Sequence, residues 1–429
     1  MQGPRLDTYE SADHHAYGTI ARWKSDLAHA GRWVFNPRAG RHDNGNLIRM
    51  GIRIGLIFNR YRSDGGTERI TSSVFDALAE DNVEWVVLTR RWGGALPPNV
   101  RVIECRPFAI GRRWRLRSFI RSLERHLRTL SVDFVQSQVH LPQVDIFRAD
   151  GGVHAEWLTQ RRRAAAPLAR WWRRFGGYHR DKLRMEEQMY ASARLKAVIC
   201  NSQMVLEDIE RRFPDCRAKL RVIENGIDVA HFKRDARAQE IGRQTRAQLG
   251  ISANAPVFLC VGSGFERKGV KTAIAALAKM PPQAHLIIVG RDSRTAHYRR
   301  AARRHRVEDR THFMGSRDDV RPYFWAADAL VHPALYEAFG IVIAEAMASG
   351  IPVIASTRTG AARAMVRGGE TGQLFDSLDV NGFARAMRAI AERDVDACLK
   401  SRMACEAVAQ DYSVERMRRE LLEFYDGFR

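Results

Sequence analysis

Two carboxylates, Glu337 and Glu345, bracket a glycine in the run Tyr336-Glu337-Ala338-Phe339-Gly340-Ile341-Val342-Ile343-Ala344-Glu345-Ala346. Gly340 lets the backbone turn and approach a ligand closely, and Ile341 to Met347 reads as a helix. The first N–H groups of a helix lack intrahelical partners, so they can hold an anion such as a diphosphate. A carboxylate on each side can accept hydrogen bonds from hydroxyls that flank the diphosphate. A nucleotide sugar has that form, with a ribose at one end and a hexose at the other. A Glu pair at this spacing is a weak signal alone, because exposed helices carry many Glu residues, but Glu345 inside an apolar stretch is less ordinary.

A second phosphate-binding layout lies upstream. Pro256-Val257-Phe258-Leu259-Cys260-Val261-Gly262 reads as a buried strand, short and apolar and bounded by Pro and Gly. It runs into Ser263-Gly264-Phe265-Glu266-Arg267-Lys268-Gly269, and a helix is expected from Val270 to Lys279. A strand, a glycine-rich turn with two cations and a helix can cradle phosphate. The glycine spacing fits neither the dinucleotide fingerprint nor the Walker lysine pattern, which disfavours NAD and ATP. With Arg267 and Lys268 to neutralise a diphosphate, no metal and no cofactor beyond the substrate is expected.

These segments carry a specific resemblance. Arg267-Lys268-Gly269, the run from Glu337 to Glu345 and Gly350-Ile351-Pro352-Val353-Ile354-Ala355 are similar to the donor half of the family 4 retaining glycosyltransferases. Asn225-Gly226-Ile227-Asp228 with Phe232 resembles that family's interdomain segment, Asn201-Ser202 its preceding strand end, and Gly65-Gly66 its amino-terminal glycine loop. The resemblance runs from about Met50 to the end of the chain. In Val261 to Val270, His332 to Glu345 and Asp145 to Glu156 the chain most resembles the members that place a glucose on lipopolysaccharide core.

The resemblance implies the GT-B fold: α/β, two Rossmann-like doubly wound parallel-sheet domains facing a central cleft. It implies transfer of a hexose, glucose, from a UDP-sugar to a lipid-linked glycan such as a core heptose. Glu337 would hold donor-sugar hydroxyls and Glu345 the ribose. Gly65, Gly66, Arg267, Lys268, Phe339, Gly340 and Ile341 would complete the nucleotide-sugar site. The wider family often has a histidine at the end of the strand Val135-Gln136-Ser137-Gln138-Val139-His140. Here Gln138 takes that place, and His140 follows two residues on. Asp145 aligns with an Asp of the similar enzymes, and His154 in Asp150-Gly151-Gly152-Val153-His154 is a further candidate. The catalytic set is therefore Glu337 with Asp145, His154 and His140, the choice of histidine open. Ser263 replaces the family's Arg in the donor loop, with Arg267 able to compensate.

A chain of 429 residues with 45% hydrophobic content is globular and long enough for two cores. Residues 1–49 are polar without a sustained period, and are expected to be disordered or to reflect an early start codon. An acceptor-binding domain is expected over residues 50–235, with 411–429 crossing back onto it, and a nucleotide-sugar domain over 236–410. Strands at Gly51–Phe58, Val83–Leu88, Asp133–Gln138 and Ala197–Asn201 alternate with helices at Arg69–Glu80 and Arg113–Leu130. That alternation argues for a parallel sheet covered on both faces. The polar stretch Asp235 to Ser252 is the expected linker, and Ser413 the cap of a last helix from Val414 to Tyr425.

The net charge of +21 implies an acidic partner. No stretch reaches the ~18–20 apolar residues of a membrane span, the amino terminus has no signal pattern, and the scattered cysteines have no paired metal spacing. A reducing cytosol is the expected compartment. In the segment Gln160 to Arg184, Trp171 and Trp172 lie among Arg170, Arg173 and Arg174, and Gly176-Gly177 is expected to end the helix. That is the composition of an interfacial anchor. A lid packed on the protein is the alternative. The arginine-rich helix at Arg113–Leu130 is expected to cover the sheet, with membrane contact as its alternative. The implied partners are thus a nucleotide sugar, an anionic lipid-linked glycan and an anionic membrane surface on the cytoplasmic side. No nucleic acid is expected, since no RNA-type aromatic motif is present. Two rivals share the fold: a nucleotide-sugar 2-epimerase, and a basic membrane- or nucleic-acid-binding protein on an inactive scaffold.

Overall fold

The computed structural model describes residues 51–59, 74–75, 78–79, 81, 83–93, 96–97, 99–165 and 177–428. The first sheet has seven strands: β1 Ile52–Ile57, β2 Val83–Thr89, β3 Val100–Glu104, β4 Phe134–Ser137, β5 Ile146–Arg148, β6 Ala197–Cys200 and β7 Leu220–Val222. The second has six: β8 Val257–Val261, β9 His285–Val289, β10 Thr311–Gly315, β11 Ala329–His332, β12 Val353–Ser356 and β13 Gly372–Phe375. Every strand pairing is parallel. The orders are β3-β2-β1-β4-β5-β6-β7 and β10-β9-β8-β11-β12-β13, so both sheets reverse direction of growth beside their first strand. This is the Rossmann-like arrangement, and ligands of such sheets bind beyond the strand carboxyl ends at that switch point.

Burial explains the parallel choice. In β8 every residue is buried. Val257, Leu259 and Val261 enter one core, while Phe258 and Cys260 enter the other. A strand apolar on both faces needs helices on both. The first sheet is sandwiched likewise, with Ile57 and Phe147 on one side and Ile54, Leu56 and Phe134 on the other. The last helix, Val414–Asp426, is capped by Ser413, whose hydroxyl accepts from the Arg416 N–H. Its Met417, Leu421 and Tyr425 share one helical face and pack into the first sheet's core. There the Tyr425 hydroxyl donates to Gln136 Oε1 at 2.8 Å.

Two sequence expectations are corrected, and a third is borne out. Asp235 to Ser252 is not a linker. It forms the helix Ala236–Gln248, capped by Asp235 and packed on Arg321–Ala326. A Cβ on Gly242 would lie 2.4 Å from the Trp325 carbonyl oxygen, so that glycine admits the close crossing. Gly177 does not end a helix but opens one, Gly177–Tyr190. The arginine-rich helix, Gly111–Leu127, does bury Phe119 and Leu123 in the core as a sheet cover should, but Trp114 in its first turn is exposed. The helix expected at Arg69–Glu80 falls mostly outside the described residues.

Candidate functional site

β8 and β11 meet at the switch point of the second sheet, and their following loops build one wall of a cleft of about 720 Å³. Beyond β8 the chain enters Gly262 with φ +133°. A Cβ there would sit 2.4 Å from Lys268 Cε, so the missing side chain makes room for the lysine. Gly269, with φ +69°, starts the helix Val270–Leu277. A Cβ on Gly269 would collide with the Pro333 carbonyl at 1.8 Å. The two loops are thereby nested, and the Leu335 N–H donates to the Arg267 carbonyl at 2.9 Å.

The charges converge on Glu337. Its Oε2 lies 2.9 Å from Lys268 Nζ and 2.5 Å from Arg267 Nη1. Burial alone would raise the Glu337 carboxyl, but Arg267 and Lys268 hold it well below the usual carboxylate range. Burial also lowers the Lys268 pKa, opposed by Glu337. Behind the pair, His332 at the end of β11 is fully buried, and burial first, then Lys268, pushes its imidazole down to about 3. Gly340, at φ +89°, is the N-cap of the helix Ile341–Ala348. Phe339, Gly340 and Ile341 line the cleft, so the open amino end of that helix and the two cations face the same space. Glu345 is placed differently. It is 2% exposed, lies one turn past Ile341, and is not among the cleft-lining residues.

The opposite wall comes from the first domain. Gln138 and His140, beyond β4, and His154, at the start of the helix His154–Arg163, all line the cleft. His140 packs against Phe147 with ring centroids 4.9 Å apart, and its Nε2 is 3.6 Å from Glu186. The His154 ring nitrogen Nε2 is 3.2 Å from His179 Nδ1, and its backbone N–H donates to Glu186 at 2.7 Å. Burial, then the charge of Lys182, pushes both His140 and His154 to about 3, so both are neutral near pH 7. Asp145 is not brought to the cleft. Its Oδ2 accepts the Val135 N–H at 2.9 Å and its carboxylate lies 3.4 Å from Arg194, which ties β4 to β5. Gly65, Gly66, Arg170, Trp171, Trp172, Arg173 and Arg174 lie outside the described residues.

The walls are stitched together beside the site. Tyr336 Oη accepts the Val153 N–H at 3.0 Å. Gly152 is at φ +65°, and a Cβ on it would strike that hydroxyl at 2.4 Å. The Ser202 hydroxyl donates to the Ala338 carbonyl at 2.7 Å. The Arg358 guanidinium reaches Asp208 at 2.7 Å and Glu156 at 3.1 Å. Sequence reasoning missed Glu186 and Trp157 and read Lys182 only as part of the basic segment Gln160 to Arg184, because neither helix carries a motif that points to a cleft. Among the described residues no group of three or more His, Cys, Asp or Glu is clustered as a metal site would be.

Comparison with known proteins agrees with this geometry. Residues 64–231 match the model described as Glycosyltransferase Family 4, and residues 242–410 the one described as Glycosyl transferases group 1. The chain is 28% identical to the lipopolysaccharide core biosynthesis glycosyltransferase LpsE of Rhizobium meliloti (strain 1021), over 80% of this chain and 90% of the relative. It is 26% identical to the lipopolysaccharide glucosyltransferase WaaG of Escherichia coli (strain K12), over 72% and 81%. Among solved structures, the crystal structure of WaaG, a glycosyltransferase involved in lipopolysaccharide biosynthesis, superposes with a TM-score of 0.75 at 22% identity, covering 86% of this chain and 99% of that one. Anabaena HepE in complex with UDP and glucose superposes with a TM-score of 0.66 at 22% identity, covering 88% and 100%. With two Rossmann-like domains closing on a cleft and a family model matched in each half, the chain belongs to the family 4 glycosyltransferases of GT-B fold.

Proposed function

We propose that this enzyme moves a hexose, glucose, with retention from a UDP-sugar to a lipid-linked glycan of the lipopolysaccharide core type. The observation that carries the donor half is the Arg267–Lys268–Glu337 cluster facing the amino end of the Ile341–Ala348 helix. Departure of a nucleoside diphosphate develops negative charge on a phosphate oxygen. Two pre-placed cations and a row of free N–H groups stabilise it where water is largely excluded. A diphosphate on Arg267 and Lys268 competes with Glu337 for them, which leaves the Glu337 carboxylate able to accept from sugar hydroxyls. Phe339, Gly340 and Ile341 shape the donor site, with Gly65 and Gly66 as its first-domain loop and Glu345 on the ribose side. His140 and His154, held neutral, face the acceptor hydroxyl from the other wall. Asp145 supports them through the β4–β5 connection rather than by contact.

The acceptor half rests on the lipopolysaccharide-named relatives and on charge. An enzyme of lipid-linked glycans works at a surface, and this chain places Phe108, Ile110 and Trp114 in the open, 78%, 70% and 47% exposed. They stand among Arg106, Arg112 and Arg115. Apolar side chains amid cations suit an anionic membrane, here the cytoplasmic face, with Trp171, Trp172, Arg170, Arg173 and Arg174 as a second contact. Among the described residues no helix is long and apolar enough to cross a membrane. The test is a donor screen of UDP-, GDP- and ADP-sugars with purified lipid A–core from a core-truncated strain, reading the product's anomeric configuration by NMR. Transfer from a UDP-hexose with retention supports the proposal. Epimerisation of the donor without transfer, or inversion, overturns it.

A further inference from the structure

We infer that the first-domain wall of the cleft is an acceptor subsite for an anionic sugar, whose carboxylate or phosphate meets Lys182 while its ring lies against Trp157. The inference rests on the glycosyltransferase reading above and adds which chemical feature of the acceptor is selected. Trp157 and Lys182 stand on the helices His154–Arg163 and Gly177–Tyr190, which pack together, and both side chains line the cleft.

Each nearby carboxylate is already engaged. Asp181, adjacent in sequence, takes Arg113 at 2.7 Å and Arg117 at 2.9 Å. Glu186, one turn on, accepts the backbone N–H groups of His154 at 2.7 Å and Ala155 at 3.4 Å. Asp150 takes Arg148 at 3.1 Å, and Glu156 takes Arg358 at 3.1 Å. Across the cleft, Glu337 is held by Arg267 and Lys268, and Asp318 is on the exposed rim beside Arg317. Among the described residues, Lys182 has no carboxylate within ion-pair distance. His140, His154 and His179 around it stay neutral, so they neither share nor cancel its charge.

An uncompensated ammonium in a partly enclosed wall attracts an anion more strongly than one on an open surface. The neighbouring indole, with the Arg161 guanidinium 6.0 Å from its ring centroid, gives the C–H face of a pyranose an apolar seat. A few convergent polar groups beside apolar area are how such pockets fix orientation. A neutral acceptor would leave Lys182 without a partner, and a site built for a charged group discriminates through that loss.

The test compares three acceptors: purified lipid A–core, the same glycan dephosphorylated, and the same glycan with its carboxylates reduced. Wild type should lose about 10- to 100-fold in kcat/KM on the form lacking the recognised anion, the range of a lost charged hydrogen bond, and that form tells phosphate from carboxylate. Lys182→Met should bring the ratio between acceptors to about one through KM, Lys182→Arg should restore it, and Trp157→Leu should lower all three acceptors together. Equal discrimination by Lys182→Met and wild type, or none by wild type while UDP still binds by calorimetry, would overturn the subsite alone. Absence of both UDP binding and transfer would remove the donor assignment and the subsite with it.

Discussion

Gly262 and Lys268 occupy one volume, since a Cβ on Gly262 would come within 2.4 Å of Lys268 Cε. The lysine reaches Glu337 at 2.9 Å only because the strand end carries no side chain. Gly262→Ala should therefore displace Lys268, and the φ of +133° adds backbone strain on the order of 1–3 kcal/mol. Thermal melts should show the destabilisation and calorimetry a weaker grip on UDP. Unchanged UDP affinity would mean that the lysine's position does not matter for the donor.

Glu337 and Glu345 should separate kinetically. Glu337 lines the cleft and Glu345 lies one turn into a buried helix. Glu337→Ala should hurt turnover more than nucleotide affinity, while Glu345→Ala should hurt both. Steady-state kinetics alongside UDP titrations decide the matter, and equal rates and affinities for wild type and both variants would contradict the assignment.

His332 gives the fold a pH dependence of known sign. Its folded value is near 3, against ~6.5 for an unfolded histidine. Below ~6.5 the unfolded chain binds a proton that the folded one does not. Stability is therefore full above that pH and falls as pH drops toward 3, by about 1.4 kcal/mol per unit for this one group. Denaturant melts from pH 7 to 4 should show a shallower decline for His332→Phe than for wild type. Parallel declines would mean that His332 is not buried neutral.

The strands that could be read from sequence were the apolar ones. β8, with Val, Phe, Leu and Cys buried on both faces, declares itself, and so do the glycine turns that place the cations. β5 does not, because it is three residues long and ends in Arg148, buried against Asp150 and Asn225. A charged residue in a short strand defeats pattern reading, since Asn225, the partner that buries it, lies 77 residues away. The same holds for Asp235 to Ser252. Its polarity reads as a linker, yet Arg246 spends its guanidinium on Ala253, Ala255, Ala326 and Asp328. Of the candidate site, Arg267 with Lys268 and Glu337 with Gly340 were legible as two local motifs. Lys182 and Trp157 reach the cleft, and Glu186 the backbone of His154 behind it, only through helix packing, which no local spacing encodes.

Membrane association should depend on apolar and cationic groups together. Burying an exposed aromatic or aliphatic side chain contributes roughly 1.5–3 kcal/mol at best, and the arginines add a salt-sensitive attraction. Replacing Phe108, Ile110 and Trp114 with Ser should leave weak, salt-labile binding in vesicle co-sedimentation, and Trp171 and Trp172 to Ser should do the same if that segment is a second contact. Replacing Arg170, Arg173 and Arg174 with Glu should reduce selectivity for anionic vesicles. Indifference of the wild type to anionic lipid would sink the proposal.

UDP titrated by calorimetry into wild type and Lys268→Ala probes the donor site most directly. The variant keeps Arg267 on Glu337 and so should keep its fold, while losing about 1–3 kcal/mol of UDP affinity, the range of a charged hydrogen bond. Equal affinity in the two proteins, both folded by thermal melt, would contradict a nucleoside diphosphate between the Ser263–Gly269 turn and the Gly340 helix start.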